Sequence, residues 1–424
     1  MTKAISEIKN LRERKNLVPA LYVISMAIAF TTEYGDYKAA DFFSRVLIRA
    51  VWVVVALVQL YMDISHKRKS ATSDFKWLTK LYFLPLVFIH LYSIFLIVIG
   101  KVSWSDFTTN IKTYSFAILA ICSLYLFKEK TFKYISLGLI ISWAFSIIFS
   151  TATKGFQIFP QAIIQGYINP AYKIPGFRTN YFELHDLVAA AGYIVAFYIF
   201  SQKKLDKRDF AFLSVVALIM ILGIKRISVV GLILATLFHL IIRWFPEKKQ
   251  YTLCIIAGWL GFLFCYFYIY WLSVPGAFTK FVNENGINTM SRIYFYEAIM
   301  RHAEFSPSFL GVGRHVVSRL LIEELPNFGI TFVHSDILKM YVENGFIVFG
   351  LWLWYYLINV TRQYKNRFGF KEAVFYFGLT VYTFTLYLAD NTEVAFISQM
   401  FSIITPAAYA LSRRKDEAGV KGEE

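Results

Sequence analysis

The sequence predicts an all-α, polytopic membrane helix bundle of about twelve transmembrane helices, with a large helical loop on the extracytoplasmic side between helices nine and ten. Three observations predict it. Of 424 residues, 57% are apolar and only 17% are charged, where a soluble domain carries about a quarter; mean hydropathy is +0.50. The apolar residues are gathered into runs long enough to cross about 30 Å of hydrocarbon as helices. Between these runs, Lys and Arg are shared very unequally between alternate loops.

The runs lie near 17–33, 44–62, 78–99, 113–127, 134–150, 185–200, 209–224, 227–243, 251–273, 336–360, 373–389 and 393–411. The stretch 209–244 is too long for one helix, and Gly223 followed by Lys225 and Arg226 divides it with a tight turn. Charged residues precede the first run, which contains Ala27-Ile28-Ala29 in the manner of a secretory signal; with eleven further runs behind it, it reads as a retained helix. No repeat, heptad or low-complexity tract divides the chain, so 1–424 reads as a single transmembrane domain.

Orientation follows from the basic residues. With the N-terminus inside, seven cytoplasmic edges hold 27 Lys and Arg; the outer segments, although longer, hold 13. This bias places both termini in the cytoplasm. The net charge of +16 is therefore a topology signal, and its spread over seven edges argues against a nucleic-acid partner. Cys122, Cys254 and Cys265 lie within apolar runs without metal-ligand spacing, so neither a disulfide framework nor a metal site is expected. No Gly-x-x-x-x-Gly-Lys loop or dinucleotide fingerprint is present, and no cofactor is expected.

Two long loops, 151–184 and 274–335, face the same outer side. The second reads as the chemical centre. Asn288 or Thr289 can cap a helix in which Ile293, Tyr296, Met300 and Ala303 recur at spacings of three and four, with Arg292 and Arg301 projecting at the water boundary. Ser306-Pro307 ends that helix, and Gly311-Val312-Gly313 makes a turn in which backbone can approach a ligand before Arg314. A second short helix, about 315–325, ends at Pro326, and His334 stands immediately before the next apolar run.

These residues resemble a known family. Ser291-Arg292 through Glu297-Ala298, then Pro307 through Gly313, then His334-Ser335-Asp336-Ile337-Leu338 with Glu343-Asn344-Gly345-Phe346, is an order similar to that of the O-antigen ligase and polysaccharide polymerase superfamily. Lys225-Arg226 resembles that family's arginine at the outer end of a helix. Phe177-Arg178 and Leu184-His185-Asp186-Leu187 are more loosely similar to its first loop. Two departures stand out: Ser335-Asp336 replaces the usual Asn after the histidine, and Lys225 precedes Arg226 where a small polar residue is common.

The resemblance implies an enzyme of the bacterial cytoplasmic (inner) membrane: a metal-independent glycosyltransferase that moves an oligosaccharide from undecaprenyl diphosphate to an acceptor glycan hydroxyl on the outer side. It implies catalytic roles for Arg226, Arg292 and His334. The chemistry fits, because arginine forks bind the developing diphosphate charge bidentately and cannot lose their own charge. A histidine titrates near neutrality and suits a base for the acceptor hydroxyl. Arg314, Arg301, Arg178 and His185 are further candidates for diphosphate or glycan binding, with Tyr294 and Tyr296 as sugar-stacking rings.

Plainer readings stand beside these. An arginine at a helix end serves as a snorkelling anchor, and a histidine before a span as an interfacial residue. Arg45 and Arg49, at the bilayer edge, need a partner or a lipid phosphate. Asp390 and Glu393 read as a solvated edge, and Asp336 as a helix cap; His90 and His239 read as packing residues. Within the enzyme reading, a repeat-unit polymerase is favoured, with an O-antigen ligase as the alternative; from another class, a lipid-linked oligosaccharide flippase also fits the helix count. A chain-length regulator or flippase of the same pathway is an expected partner.

Overall fold

The computed structural model describes residues 17–31, 46–67, 69–104, 111–154, 185–202, 204–223, 225–286, 289, 292–328, 332–392 and 395–420. Among them every regular element is a helix. The first six are α1 (Leu17–Thr31), α2 (Ile48–Ser65), α3 (Lys69–Leu78), α4 (Leu84–Val98), α5 (Ile111–Phe127) and α6 (Thr131–Lys154). Then follow α7 (His185–Ser201), α8 (Lys207–Leu222), α9 (Arg226–Ile242), α10 (Glu247–Ser273), α11 (Ala277–Glu284) and α12 (Arg292–Met300). The last are α13 (Val316–Glu324), α14 (Asp336–Trp354), α15 (Val360–Arg367), α16 (Phe370–Ala389) and α17 (Phe396–Val420). The described residues of each apolar run expected to be helical lie largely in helices. The expected break at Gly223 is present, since α8 ends at Leu222 and α9 begins at Arg226.

Among the described residues, five stretches are long and apolar enough to cross a membrane: Ile48–Ser65, Thr72–Val98, Ser115–Ile148, Glu247–Ser273 and Phe370–Ala389. Leu17–Thr31, Leu187–Ser201 and Arg226–Ile242 are shorter apolar helices. Their outward faces suit lipid, not water: Ile24 and Ile28 on α1, Val54 and Leu57 on α2, and Leu260, Leu263 and Phe267 on α10 are all exposed. Ser115–Ile148 comprises two helices, because Lys128 adopts a left-handed backbone (φ +50°) that an α-helix cannot hold.

The three cysteines are buried packing residues. Arg49, also buried, has the partner that its position demands. Its guanidinium donates to Ser115 Oγ (3.2 Å) and lies 4.0 Å from the Phe396 ring centre and 4.7 Å from that of Phe116. Arg45 and Glu393 lie outside the described residues.

Helix α16 is the centre of the bundle, packing against α7, α9, α10, α14 and α17. The helices of 274–335 do not form a separate layer. Phe295, Tyr296, Ile299 and Met300 of α12, with Val316, Val317 and Leu321 of α13, share one apolar core with Ile269 of α10 and with Ile337, Tyr341 and Phe349 of α14. The chemistry-bearing segment is therefore fixed to the bundle by packed side chains.

Candidate functional site

One end of the bundle holds a polar cluster built on the turn that joins α16 to α17. The apolar sequence of α16 stops at Ala389, and Asp390-Asn391-Thr392 follows before Ala395 and α17. The start of α14 packs against this turn: the Asp336 N–H donates to the Asp390 carbonyl (3.1 Å), and Thr392 Oγ1 donates to Asp336 Oδ2 (3.5 Å). Ser335 is the cap of α14, its Oγ accepting from the Leu338 N–H (3.3 Å). Asp336 is fully buried and serves the turn, a different role from the helix cap expected of it.

His334 is held from both sides. Its backbone is left-handed (φ +55°), a conformation that a residue with a Cβ adopts only when its surroundings enforce it. The enforcement is visible: Asn391 Oδ1 accepts from the His334 N–H (3.0 Å), and the Tyr296 hydroxyl donates to the His334 carbonyl (3.0 Å). The second amide atom of Asn391, Nδ2, lies 3.2 Å from His334 Nδ1. Tyr296 is buried, which pushes its hydroxyl up to about 12 while the Arg292 charge pulls the other way. It is thus a permanent donor at physiological pH. Tyr296 consequently positions His334 and is not presented as a sugar-stacking ring; Tyr294, 56% exposed on the other side of α12, is.

Arg292, the first residue of α12, donates through one guanidinium nitrogen to the Ala389 carbonyl (2.8 Å). Arg292 and His334 are thereby tied to residues two apart on the same turn. Both are half-buried, so each keeps accessible surface. Across the turn, the Lys225 ammonium forms a buried ion pair with the Asp390 carboxylate. Asp390 is therefore a buried ion-pair partner, which corrects the reading of it as a solvated edge. Arg226, adjacent to Lys225 at the start of α9, is exposed.

Two other expected site residues are placed elsewhere. Arg314 is 2% exposed, with Nε 4.0 Å from Glu343 Oε2 and a nitrogen 3.1 Å from Met340 Sδ. It is sequestered beside α14, not presented to a ligand. Arg301 pairs with Glu324 (3.1 Å) at the α12–α13 surface, where His302 also meets Glu324 (2.9 Å). An exposed pair of this kind contributes about 0–1 kcal/mol. Arg301→Ala is accordingly expected to leave both thermal stability in detergent and turnover near wild type; a loss of turnover comparable to that of an Arg292 variant would place Arg301 in the site. Arg178 and the His185 side chain lie outside the described residues.

The Gly311-Val312-Gly313 turn, expected to bring backbone close to a ligand, is packed instead against the protein's own backbone. Helix α14 is interrupted at Gly345 (φ +75°, ψ 177°), which breaks the normal bond from the Phe346 N–H to the Val342 carbonyl. The loop replaces what is lost. Val312 N donates to Val342 O, Gly313 N to Glu343 O, and Phe346 N to Phe309 O, each at 2.9 Å. Glu343, fully buried, also accepts from the His315 N–H (2.8 Å), and Tyr92 of α4 donates to the Leu310 carbonyl (2.7 Å).

Below the polar turn, a cavity of about 70 Å³ enters the bundle between α4, α14, α16 and α17. Thr380, Thr383, Tyr387, Gln399 and Ser402 give it polar walls. Gln399 joins it to the turn, donating to Tyr387 Oη (3.1 Å) and to the Thr392 carbonyl (3.3 Å). Among the described residues, no three His, Cys, Asp or Glu side chains are grouped to hold a metal ion.

The arrangement can bind an oxygen-rich, anionic ligand: a guanidinium, an imidazole and an amide share one turn. Lys225, Asp390 and Asn391 escaped the sequence reading as site residues. The available signal was the polar triplet at the end of a long apolar helix, opposite the one lysine that interrupts 209–244. Comparison with known proteins returns no match, either to a protein-family model or to a curated sequence.

Proposed function

We propose that this chain polymerises undecaprenyl-diphosphate-linked oligosaccharide repeat units into a surface polysaccharide, as a metal-independent glycosyltransferase of the bacterial cytoplasmic membrane. The observation that carries the reading is the attachment of Arg292 and His334 to residues two apart, Ala389 at the end of α16 and Asn391 in the turn that follows it, with both side chains half-buried. In the proposed topology the chain crosses the membrane about twelve times with both termini cytoplasmic. The basic-residue bias then assigns the turn and the loop 274–335 to the outer face. No nucleotide donor exists there, so a synthetic reaction draws on a donor already activated in the membrane.

The chemistry assigned to the residues is charge stabilisation and positioning. As the glycosidic bond breaks, its electron pair passes to a diphosphate oxygen, and a fixed guanidinium nearby stabilises the charge without reorganising. Arg292 supplies that group, and Arg226, exposed beside Lys225 at the same end of the bundle, supplies a second. His334 faces the reacting oxygens, and the exposed ring of Tyr294 offers a surface for the glycan.

Deleting the gene and separating the surface polysaccharide by length tests the proposal. Loss of everything beyond single-unit lengths is expected; long chains left on the lipid carrier would identify a ligase instead. Arg292→Lys and Arg226→Lys should each lower turnover at least about tenfold despite the retained charge, because a point charge does not reproduce the fork. Wild-type rates in either variant would reduce that arginine to an anchor. A second reading, transport of a lipid-linked oligosaccharide, is supported by the polar-walled cavity beneath the turn. Under that reading the deletion strain retains its lipid-linked units on the cytoplasmic leaflet, whereas under the first they accumulate outside.

A further inference from the structure

The sequence suggests a base at His334, but the hydrogen bonds around the ring lead to another role. Asn391 uses both atoms of its amide on one residue: Oδ1 accepts from the His334 backbone N–H (3.0 Å), and Nδ2 lies 3.2 Å from His334 Nδ1. The two amide atoms look alike in shape, and their assignment ordinarily rests on the surrounding network. Here chemistry decides it. A backbone N–H is always a donor, and Oδ1 is the only acceptor that an asparagine side chain has. Nδ2, with its two hydrogens, must therefore face Nδ1.

We propose that Asn391 is a positioning residue that locks His334 in the neutral tautomer with its proton on Nε2, so that the imidazole acts on the ligand as a hydrogen-bond donor to an anionic oxygen and not as a proton acceptor. Nδ1 accepts from Asn391, and a neutral ring then carries its one proton at Nε2. A base working through Nε2 would become an imidazolium with Nδ1–H directed at the Asn391 N–H groups, two donors facing each other with no acceptor between them. A carboxylate at this place would favour the base, because it holds the Nδ1–H tautomer and stabilises the imidazolium; an amide does the reverse. Tyr296 and Asn391 together also hold the His334 backbone in its left-handed conformation, which fixes the Cα–Cβ bond that carries the ring. No proton is transferred in the assigned role: His334 keeps its proton and shares it with an oxygen, the chemistry expected for a phosphate.

The proposal rests on the site described above, but its first test does not depend on the transferase reading. The full chain, labelled with ¹⁵N-histidine and reconstituted in lipid nanodiscs, is measured by NMR near neutral pH with and without inorganic pyrophosphate. The His334 signals are assigned by their loss in His334→Gln. Expected are a protonated Nε2 and an unprotonated Nδ1, a shift of the Nε2 signal on adding pyrophosphate, and inversion to Nδ1–H in Asn391→Asp, which keeps the acceptor for the backbone N–H. A protonated Nδ1 in the wild-type protein overturns the proposal whatever the protein's activity.

Chain extension gives the second test. His334→Gln retains a side-chain donor but cannot act as a base, and should keep turnover within about tenfold of wild type, whereas His334→Ala should lose about 10²–10³-fold. Asn391→Asp should fall with His334→Ala, at unchanged thermal stability. Turnover in Asn391→Asp equal to or above wild type overturns the donor role. If no variant polymerises because the chain is not a polymerase, the tautomer and its inversion still decide the positioning by Asn391.

Discussion

Gly345→Ala is expected to destabilise the detergent-solubilised protein by about 3–5 kcal/mol, adding the strain of a forbidden backbone conformation to a steric clash. The conformation at Gly345, with positive φ and ψ near 180°, is essentially closed to any residue with a Cβ. The space is closed as well. A Cβ there would stand 2.3 Å from the Leu310 carbonyl carbon and 2.4 Å from the Phe309 oxygen, and neither backbone atom can move without breaking the bonds that patch α14. Gly311 faces the same junction from the other side, where its Cβ would meet Gly345 N at 2.5 Å.

Gly286→Ala is the control. Its φ is also positive (+59°), but among the described residues no atom beyond its chain neighbours lies within 4 Å of the added carbon, so the left-handed strain of about 1 kcal/mol is the effect expected. Thermal unfolding followed by near-UV circular dichroism should rank wild type above Gly286→Ala, with Gly345→Ala well below both. A Gly345→Ala protein that melts with the control would mean that the junction between the loop and α14 yields freely. Because α12 and α13 share a core with α14, a loosened junction should also lower turnover more than Arg301→Ala does.

Which parts of this architecture can be read in the sequence depends on the range of the physics involved. A helix in an apolar bundle is specified by its own composition, so the runs beginning near 17, 251 and 373 lie in α1, α10 and α16. The break at Gly223 is legible for the same reason. The π-helical turns at Thr79–Phe83 and Tyr355–Asn359 carry no compositional mark. The Gly-x-Gly turn is half legible: two glycines announce positive φ and close approach, but not what approaches, and here it is the interrupted helix in place of a ligand.

Side-chain partners across the fold are the least legible. Arg314 follows the turn as a substrate-binding arginine would, yet its surroundings are set by Met340 and Glu343, 26 and 29 positions later. Lys225 and Arg226 show the limit plainly. Adjacent residues at a helix start point about 100° apart, so only one can face the bundle, and composition does not say which. The arginine drew the sequence reading, whereas the lysine is the residue that reaches the buried turn.

Breaking the Lys225–Asp390 pair should produce the largest loss of stability that the site can show. Both side chains are buried, and the carboxylate belongs to the turn that also holds His334, Arg292 and Asp336. Removing one partner strands the other charge where water cannot solvate it, at a cost of about 3–5 kcal/mol. Asp390→Ala and Lys225→Ala are each expected to approach that value. Replacing both at once, Lys225→Met with Asp390→Leu, removes the desolvation cost along with the attraction, and buried pairs exchanged in this way are often neutral or stabilising. The double variant should therefore melt near wild type while each single variant melts far below it. Activity need not follow, because the turn carries Asn391 and the carbonyl that orients Arg292. If the pair serves only stability, the double variant regains turnover with its fold. If the charge on Asp390 or Lys225 acts on the ligand, the fold returns and turnover does not, which would add the ion pair itself to the site. Single variants with wild-type melting would instead mean that water reaches the pair, contrary to the burial of both side chains.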